Sequence, residues 1–186
     1  MAFNIENFKA EQSKRNGVLR NNKFRVRPNP PPVLANSDLS RSLEFWCAGV
    51  QIPGYQLMTH DVRRYTYGTN EARPFAPNFE PIQLLFYADG NDDILDFWHS
   101  WMSYIIPHDM SNGINNNGAY LLRYKDEYAV DMSITYFNEL GEELKTITVR
   151  GAFPININSI PLSWMEQNSF VNFTVFIDYL DWFIER

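Results

Sequence analysis

The chain of 186 residues contains one cysteine and three histidines, and this scarcity excludes several kinds of site. Cys47 has no second thiol with which to form an intramolecular disulfide or a thiolate metal cluster. His60, His99 and His108 have no second ligand at helical or turn spacing, and no glycine-rich phosphate loop or Gly-x-Ser-x-Gly motif occurs. The sequence therefore predicts no catalytic, cofactor-binding or metal site, and a protein that is not an enzyme.

Basic residues are fewer than acidic ones, and the apolar runs are short. The formal net charge is −6, which argues against a protein that holds nucleic acid by its phosphates. No apolar run approaches the roughly 20 residues that a membrane-spanning helix needs. Residues 1–20 are too polar for a signal peptide. We expect a soluble protein with no membrane partner, or one that becomes insoluble only by assembling.

Aromatic residues, in contrast, are abundant. They make up 16% of the chain, and hydrophobic residues make up 45%. Strands favour aromatic and β-branched side chains, and a chain of this length is long enough to bury a well-filled core. The composition therefore predicts one globular domain that is mainly β.

Three stretches in the last third of the chain carry the pattern of half-buried strands. Residues 128–136, 145–153 and 171–179 alternate apolar and polar side chains, and a turn at 138–141 joins the first two as a hairpin. Such strands predict an antiparallel sheet with one dry face and one face that lines water. The side chains predicted for the wet face are small and polar, and those that are charged are acidic. They are Asp131, Ser133, Thr135, Thr146, Thr148, Asn172, Thr174 and Asp178.

The strongest helical pattern lies at residues 91–106. Bulky side chains recur there at i, i+3, i+4 and i+7, and two aspartates suit the start of a helix. Trp98 and Trp101 share the bulky stripe, so we interpret them as core residues rather than a platform for carbohydrate. The helix is predicted to cover the dry face of the sheet, which gives a mainly β fold with one helix packed on the sheet (α+β).

The rest of the chain divides into arms and shorter strands. Residues 22–186 are predicted to form the domain, and residues 1–21 an N-terminal arm or short helix. Two strand-like pieces at 56–60 and 62–67 predict an extended hairpin arm within 56–78, and open strand edges beside such an arm permit joining to neighbouring copies. Shorter strands are predicted at 23–27, 43–50 and 82–88, and an exposed Asn-rich loop at 109–118.

Two runs of sequence carry a resemblance to a known family. The first is Phe-Trp-Cys-Ala-Gly-Val-Gln-Ile-Pro-Gly at 45–54, followed by the arm, a strand and the aromatic helix. The second is Val-Arg-Gly-Ala-Phe-Pro at 149–154, then Leu162-Ser163-Trp164 and a final alternating strand that ends at Trp182. Across roughly residues 22–182, this order resembles the tail tube proteins of contractile-tailed, T4-like bacteriophages. The N-terminal segment, the prolines at 28–32 and the Asn-rich loop depart from the pattern.

The resemblance implies both a fold and a set of partners. The fold would be an antiparallel β-sandwich or partial barrel whose sheets join neighbours into a wide hexameric β-barrel ring, and rings would stack into a hollow tube. The partners would be further copies, the tail sheath protein, the baseplate or tube initiator, and the tape-measure protein, and DNA would cross the lumen without sequence-specific binding. The protein would be made in the host cytoplasm and reside in the tail of the virion. The contact between rings would involve the arm, through Arg63, Arg64, Tyr65, Tyr67 and Arg73.

Other functions remain open at this point. A tube initiator, a baseplate-proximal tube protein and the inner tube of a bacterial contractile injection system share the same domain. A monomeric β-barrel that binds a small hydrophobic ligand would need apolar side chains in its interior, whereas the alternation here points polar ones at water. A glycan-cleaving enzyme would need two carboxylates placed beside the tryptophans.

Overall fold

The computed structural model describes residues 4–15, 18–35, 37–63, 68–107, 122–165 and 169–185. Within them the chain is mainly β with a few helices. The helices are α1 (Ile5–Lys14), α2 (Ser37–Trp46), α3 (Asp93–Ile105) and α4 (Lys125–Tyr128). The strands are β1 (Phe24–Pro28), β2 (Cys47–Val50), β3 (Gln56–Val62), β4 (Glu71–Asn78), β5 (Ile82–Tyr87), β6 (Val130–Phe137), β7 (Glu143–Ile157), β8 (Asn172–Asp178) and β9 (Asp181–Glu185).

Seven strands form one antiparallel sheet in the order β1-β6-β7-β8-β5-β2, and β9 also pairs with β7. The three strands predicted near the C-terminus are confirmed as β6, β7 and β8. The turn predicted between β6 and β7 is present, with Gly141 at φ 83° and its N–H bonded to the Asn138 carbonyl at 3.1 Å. The C-terminal third of the chain therefore supplies the centre of the sheet.

The 15 residues of β7 belong to two halves of this sheet. Its first part, residues 143–152, pairs with β6, and within that part residues 146–150 also pair with β9. Its last part, residues 153–157, pairs with β8. Gly151 marks the change with φ 61°, a left-handed conformation that suits glycine. We call β1, β6, residues 143–152 and β9 the β6 half, and residues 153–157, β8, β5 and β2 the β8 half.

The inner faces of the two halves meet in one hydrophobic core, which α3 completes. Because both inner faces point into this core, the outer faces of the two halves point away from it and are separate surfaces. The β6 half contributes Val26, Met132, Ile134, Ile147 and Val149; the β8 half contributes Ile82, Leu84, Phe86, Phe173, Val175 and Ile177; and α3 contributes Ile94, Phe97, Trp98, Trp101 and Ile105.

The predicted helix at 91–106 is α3, and its tryptophans are core residues as expected. The rings of Trp98 and Trp101 stack with centroids 5.5 Å apart, and Trp98 lies 5.4 Å from Phe86. The Trp101 indole N–H donates to the Tyr128 carbonyl at 3.1 Å, which ties α3 to α4. The bulky stripe therefore packs on the sheet rather than facing a ligand.

Two predicted strands are wrong in part. Residues 43–50 were predicted as one strand, but α2 ends at Trp46 and only Cys47–Val50 is extended. Leu39, Leu43 and Trp46 recur at helical spacing, and Leu43 is fully buried, so burial on a helix face overrides the apparent alternation. In the arm, the second strand was predicted at 62–67, but it is Glu71–Asn78, and residues 64–67 lie outside the described residues.

The arm itself is a hairpin of β3 and β4, which form a separate two-stranded sheet. Pro74 and Pro77 both lie within β4, whose pairing with β3 shifts between Ala76 and Pro74. A two-stranded sheet has only edge strands, which leaves room for residues without an N–H. Leu57, Met58 and Phe75 are exposed on it. An isolated two-stranded hairpin is marginally stable in water, so this one lacks the support that the main sheet has.

Candidate functional site

The outer face of the β6 half is a continuous polar surface built by cross-strand pairing. Five of the eight residues predicted for the wet face lie on β6 and β7: Asp131, Ser133, Thr135, Thr146 and Thr148. The register of β6 on β7 pairs Ser133 with Thr148 and Thr135 with Thr146, and Asp131 lies at an irregularity of that pairing. Thr135 is buried, which differs from the water-facing position predicted for it. Two rows cross all four strands. The first row is Arg25, Thr135, Thr146 and Glu185, and the second is Arg27, Ser133, Thr148 and Phe183.

Side-chain hydrogen bonds tie neighbouring strands of this face together. The hydroxyls of Thr135 and Thr146 lie 2.9 Å apart, and either can donate to the other. The Thr148 hydroxyl donates to Glu185 Oε1 at 2.7 Å, across to β9. Such cross-strand pairs hold polar groups flat against the sheet and leave few of them free to bind a passing ligand.

An ion pair closes the end of the face where β9 begins. The Arg150 guanidinium donates to Asp181 through Nε, at 2.6 Å to Oδ1, and through Nη2 to Oδ2, which is the bidentate geometry of strong pairs. These hydrogen bonds raise the pKa of Arg150 and lower the pKa of the Asp181 carboxyl. Nearby, Asp131 Oδ1 accepts the Gly151 N–H at 3.0 Å.

The face carries both signs of charge, which differs from the acidic character predicted from the sequence. Arg25, Arg27 and Arg150 lie on it, and the first two bridge to Glu44 of α2 at 3.8 and 2.6 Å. Their polar positions on alternating strands were visible in the sequence. What the sequence could not show was that β1 pairs with β6 and so adds its arginines to the same surface.

Asn172, Thr174 and Asp178 are not brought together with the other five predicted residues. They lie on the outer face of the β8 half, where their cross-strand partners are Tyr87, Leu85 and Phe153. The Thr174 N–H donates to the Asn158 side chain, and Asp178 Oδ1 accepts the Tyr179 N–H at 2.9 Å. The single wet face predicted from the sequence is therefore two surfaces, and the one on the β8 half is the more apolar.

Two of the five predicted arm residues can be placed. Arg63 Nε donates to Asn70 Oδ1 at 2.5 Å, and Arg73 Nη2 lies 3.3 Å from Glu71 Oε2. Both lie on the hairpin, away from the β6 half. Arg64, Tyr65 and Tyr67 fall outside the described residues.

The described residues hold no group of three or more His, Cys, Asp or Glu side chains that could bind a metal ion. Cys47 is buried, and burial raises the pKa of its thiol to about 12, so the thiolate that a nucleophile needs does not form near neutral pH. No described helix is long and apolar enough to cross a bilayer. The candidate site is therefore a set of hydrogen-bonded polar rows rather than a reactive centre.

The Arg150–Asp181 pair predicts a pH dependence of stability. Because the folded-state pKa of Asp181 is lowered, its contribution is fully present above the ordinary value of 3.8 and is lost as pH falls through the lowered value. We expect Asp181→Asn to reduce the melting temperature of the unassembled subunit near pH 7 and to have less effect near pH 3. Asp126→Asn, at an exposed carboxylate of α4, is the control. A deficit for Asp181→Asn that does not shrink on acidification would contradict this role.

The chain is similar to known proteins both in sequence and in fold. The family described as phage tail tube protein matches residues 19–185. The tail tube protein of Serratia phage KSP90 is 25% identical over 175 residues, which cover 94% of this chain and 93% of that protein.

Two solved structures share the fold at low identity. One is the PVC sheath-tube complex of an extracellular contractile injection system in its extended state (TM-score 0.58, 14% identity, 99% of each chain covered). The other is the tube-terminating cap of the anti-feeding prophage (TM-score 0.60, 16% identity, covering 90% of this chain and 91% of that chain).

Proposed function

Because the chain belongs to the phage tail tube protein family, we propose that its copies form hexameric rings that stack into the hollow tube of a virion tail. The chain is a structural subunit of a tail tube and not an enzyme. The resemblance identified from the sequence is thereby confirmed. The ring, the stacking and the lumen are the proposal.

The observation that carries the proposal is the polar outer face of the β6 half with its two terminal strands. Within the described residues, β1 pairs only with β6, and β9 pairs only with β7. Proteins normally pair, cover or close such strand edges. Neighbouring copies that join β9 of one to β1 of the next would extend the four strands into a closed barrel, with the paired polar rows lining its interior.

The dimensions of such a ring follow from strand spacing. Six copies with four strands each give about 24 strands, which at about 4.8 Å spacing and roughly 40° tilt close into a barrel about 45–50 Å across. The β8 half adds a second layer about 10 Å away, and α3 adds roughly 10 Å more. The outer width then comes to about 90 Å.

The charge balance of the proposed lumen suits the passage of DNA. Arg25 and Arg27 share the carboxylate of Glu44, and Arg150 pairs with Asp181, all within their own chain. Phosphates bind to cations that are free to neutralise them, and each contact adds to affinity. A lumen whose cations are already paired offers the genome and the tape-measure protein a surface on which they slide rather than bind.

The remaining parts of the chain are assigned to contacts along the tail. We assign the tube domain to residues 22–186, the hairpin at 56–78 to the contact between stacked rings, and residues 1–21 to an N-terminal arm. The surfaces that face away from the lumen would meet the sheath, and the ends of the tube would meet the baseplate or tube initiator.

Electron microscopy of the purified protein tests the proposal. We expect rings, and at higher concentration tubes, with an outer width of about 90 Å and an open centre. Rings without an open centre, or a chain that stays monomeric at high concentration even with a tube initiator present, would contradict it.

A matched pair of substitutions tests which half lines the lumen. Asp131 and Asp178 each accept one backbone N–H, at 3.0 and 2.9 Å, so replacing either by lysine removes a similar local contact. We expect Asp131→Lys to place a ring of free cations in the lumen and to slow DNA ejection about tenfold or more at low salt, and Asp178→Lys to leave it near the parent rate. Equal rates for the two particles would contradict the assignment.

A further inference from the structure

The connection between β7 and β8 exposes a group of bulky apolar side chains in its described residues. Trp164 is 103% exposed, and Leu162, Met165 and Phe170 are each more than 80% exposed. Soluble proteins scatter single apolar side chains over the surface, but a cluster of large ones marks an interaction site. Trp is also among the residues that most often dominate binding energy at interfaces.

This connection is held in a defined shape near its anchor on the domain. Ile160 packs against the core, and the Ser163 hydroxyl accepts the Met165 N–H at 3.2 Å in a tight local turn. Trp164 lies within this turn, and its side chain is fully exposed rather than packed on its own sheet. The backbone beside it is thus ordered before binding, which lowers the entropy lost on association.

On another part of the same chain lies an apolar cleft of about 230 Å³. It opens between β1, β6 and the residues that follow β2, and its rim includes Arg20 and Lys23. Its apolar walls are Leu19, Phe24, Val50, Ile52 and Ile134. No part of the 161–165 segment lines it, so a copy does not fill its own cleft with Trp164.

The connection that carries Trp164 and the wall of the cleft begin on different edge strands of the β8 half. The connection leaves β7 at one edge, whereas Val50, on the cleft wall, belongs to β2 at the other edge. Three strand spacings of about 4.8 Å, roughly 14 Å in all, separate the two edge strands. The exposed tryptophan and the cleft are different surfaces of one subunit, so a contact between them is head-to-tail and closes into a ring when the rotation fits.

We infer that Trp164 of one copy inserts into the cleft beside Val50 and Ile52 of the next copy around the ring. This inference rests on the proposed ring and deepens it by naming the anchor and its pocket. The partner is therefore a second copy of this chain.

The volume of the cleft matches the volume of the Trp164 indole ring. A cavity of about 150 Å³ holds benzene, so scaling by nine ring atoms against six gives about 225 Å³ for an indole, close to the cleft volume of about 230 Å³. A buried Trp removes roughly 200 Å² from water, about a quarter of the 800 Å² or so per partner in a standard interface. Leu162, Met165 and Phe170 extend the same exposed surface and supply a further part of that area.

Arg20 and Lys23 line the cleft and are both held by Glu139: Arg20 Nε lies 2.7 Å from Glu139 Oε1, and Lys23 Nζ donates to the Glu139 carbonyl oxygen at 2.7 Å. Their charges are therefore engaged within their own chain rather than available to the indole. The Asn21 side chain on the cleft wall can accept the indole N–H.

Assembly of the full chain under the conditions in which the parent forms rings tests the inference. We expect Trp164→Ala to raise the concentration needed for half-maximal ring formation by on the order of thirtyfold or more, as for loss of a hot-spot residue. Ile52→Asp, on the lining of the cleft, should have a similar effect. Tyr124→Ala, at another highly exposed aromatic, should assemble like the parent.

Crosslinking supplies a direct readout of contact. With Met165→Cys and Ile52→Cys in one chain, oxidation of assembled rings should yield a ladder of linked copies up to the hexamer, and neither single variant should do so. Cys47, whose pKa is raised to about 12 by burial, stays protonated and takes no part. Parent-like assembly of Trp164→Ala, or rings that give no ladder, would overturn the inference and leave the proposed function standing. A parent that never forms rings would overturn both.

Discussion

Replacing Trp98 by alanine is expected to lower the free energy of unfolding of the subunit by about 3–5 kcal/mol. The side chain is 0% exposed and touches the rings of Phe86, Phe97 and Trp101, at centroid distances of 5.4, 5.2 and 5.5 Å. Removing it leaves a void at the point where α3 meets the β8 half, and the surrounding rings can refill that void only in part. Urea unfolding of the unassembled subunit at low concentration measures the change.

Trp164→Ala is the matched control for that measurement. The same ring atoms are removed, but from a fully exposed side chain, so the expected change in unfolding free energy is within about 0.5 kcal/mol. The two variants thus separate folding from association, because Trp98 should affect the first and Trp164 the second. Comparable losses of stability in both variants would show that the core assignment of Trp98 is wrong.

Removal of the β3–β4 hairpin is expected to abolish stacking of rings while leaving the subunit folded. Gln56 and Asn78 are cross-strand partners, and their side chains are hydrogen-bonded at 3.1 Å. Residues 57–77 can therefore be replaced by two glycines that close the gap as a tight turn. No described residue in that stretch belongs to the buried core, so we expect an unfolding free energy near that of the parent.

Electron microscopy and the unfolding midpoint together measure the effect of this deletion. Single rings without tubes are expected for the shortened chain, because the exposed Leu57, Met58 and Phe75 are then missing from the contact between rings. Thr59→Ala, at an exposed position of the same hairpin, controls for a local disturbance and should form tubes. Tubes of ordinary length from the shortened chain would refute the stacking role of the hairpin.

The sequence predicted the regular, locally encoded elements well. Alternation identified β6, β7 and β8, and the 3.6-residue stripe identified α3, because in each case one face is buried along the whole element. The prediction was wrong in α2, where the apolar residues fit both a strand pattern and a helix pattern. It also missed β9, a short strand that directly follows β8. The second strand was predicted to end at residue 153, before Pro154, whereas β7 continues to Ile157 past an irregularity in its pairing with β8.

The candidate site was predicted only in part, for a reason of topology. On β6 and β7 the predicted polar positions share one side of the sheet, as the pairing of Ser133 with Thr148 shows, but Thr135 on that side is buried. Which strands share a surface depends on long-range pairing, and alternation carries no information about that. The division of β7 between two halves separated Thr174 and Asp178 from Asp131, and the pairing of β1 with β6 added arginines that a strand-by-strand reading leaves out.

The long strand β7 has a further consequence for how the subunit responds to stress. Residues 143–152 and 153–157 are one strand through Gly151, and the inner faces of the two halves share one hydrophobic core, so opening either half exposes apolar side chains of the other. We therefore expect the two layers to melt as a single cooperative unit, without a partly open intermediate that keeps one layer intact. A tube built from such subunits would yield at the contacts between copies before any single copy unravels.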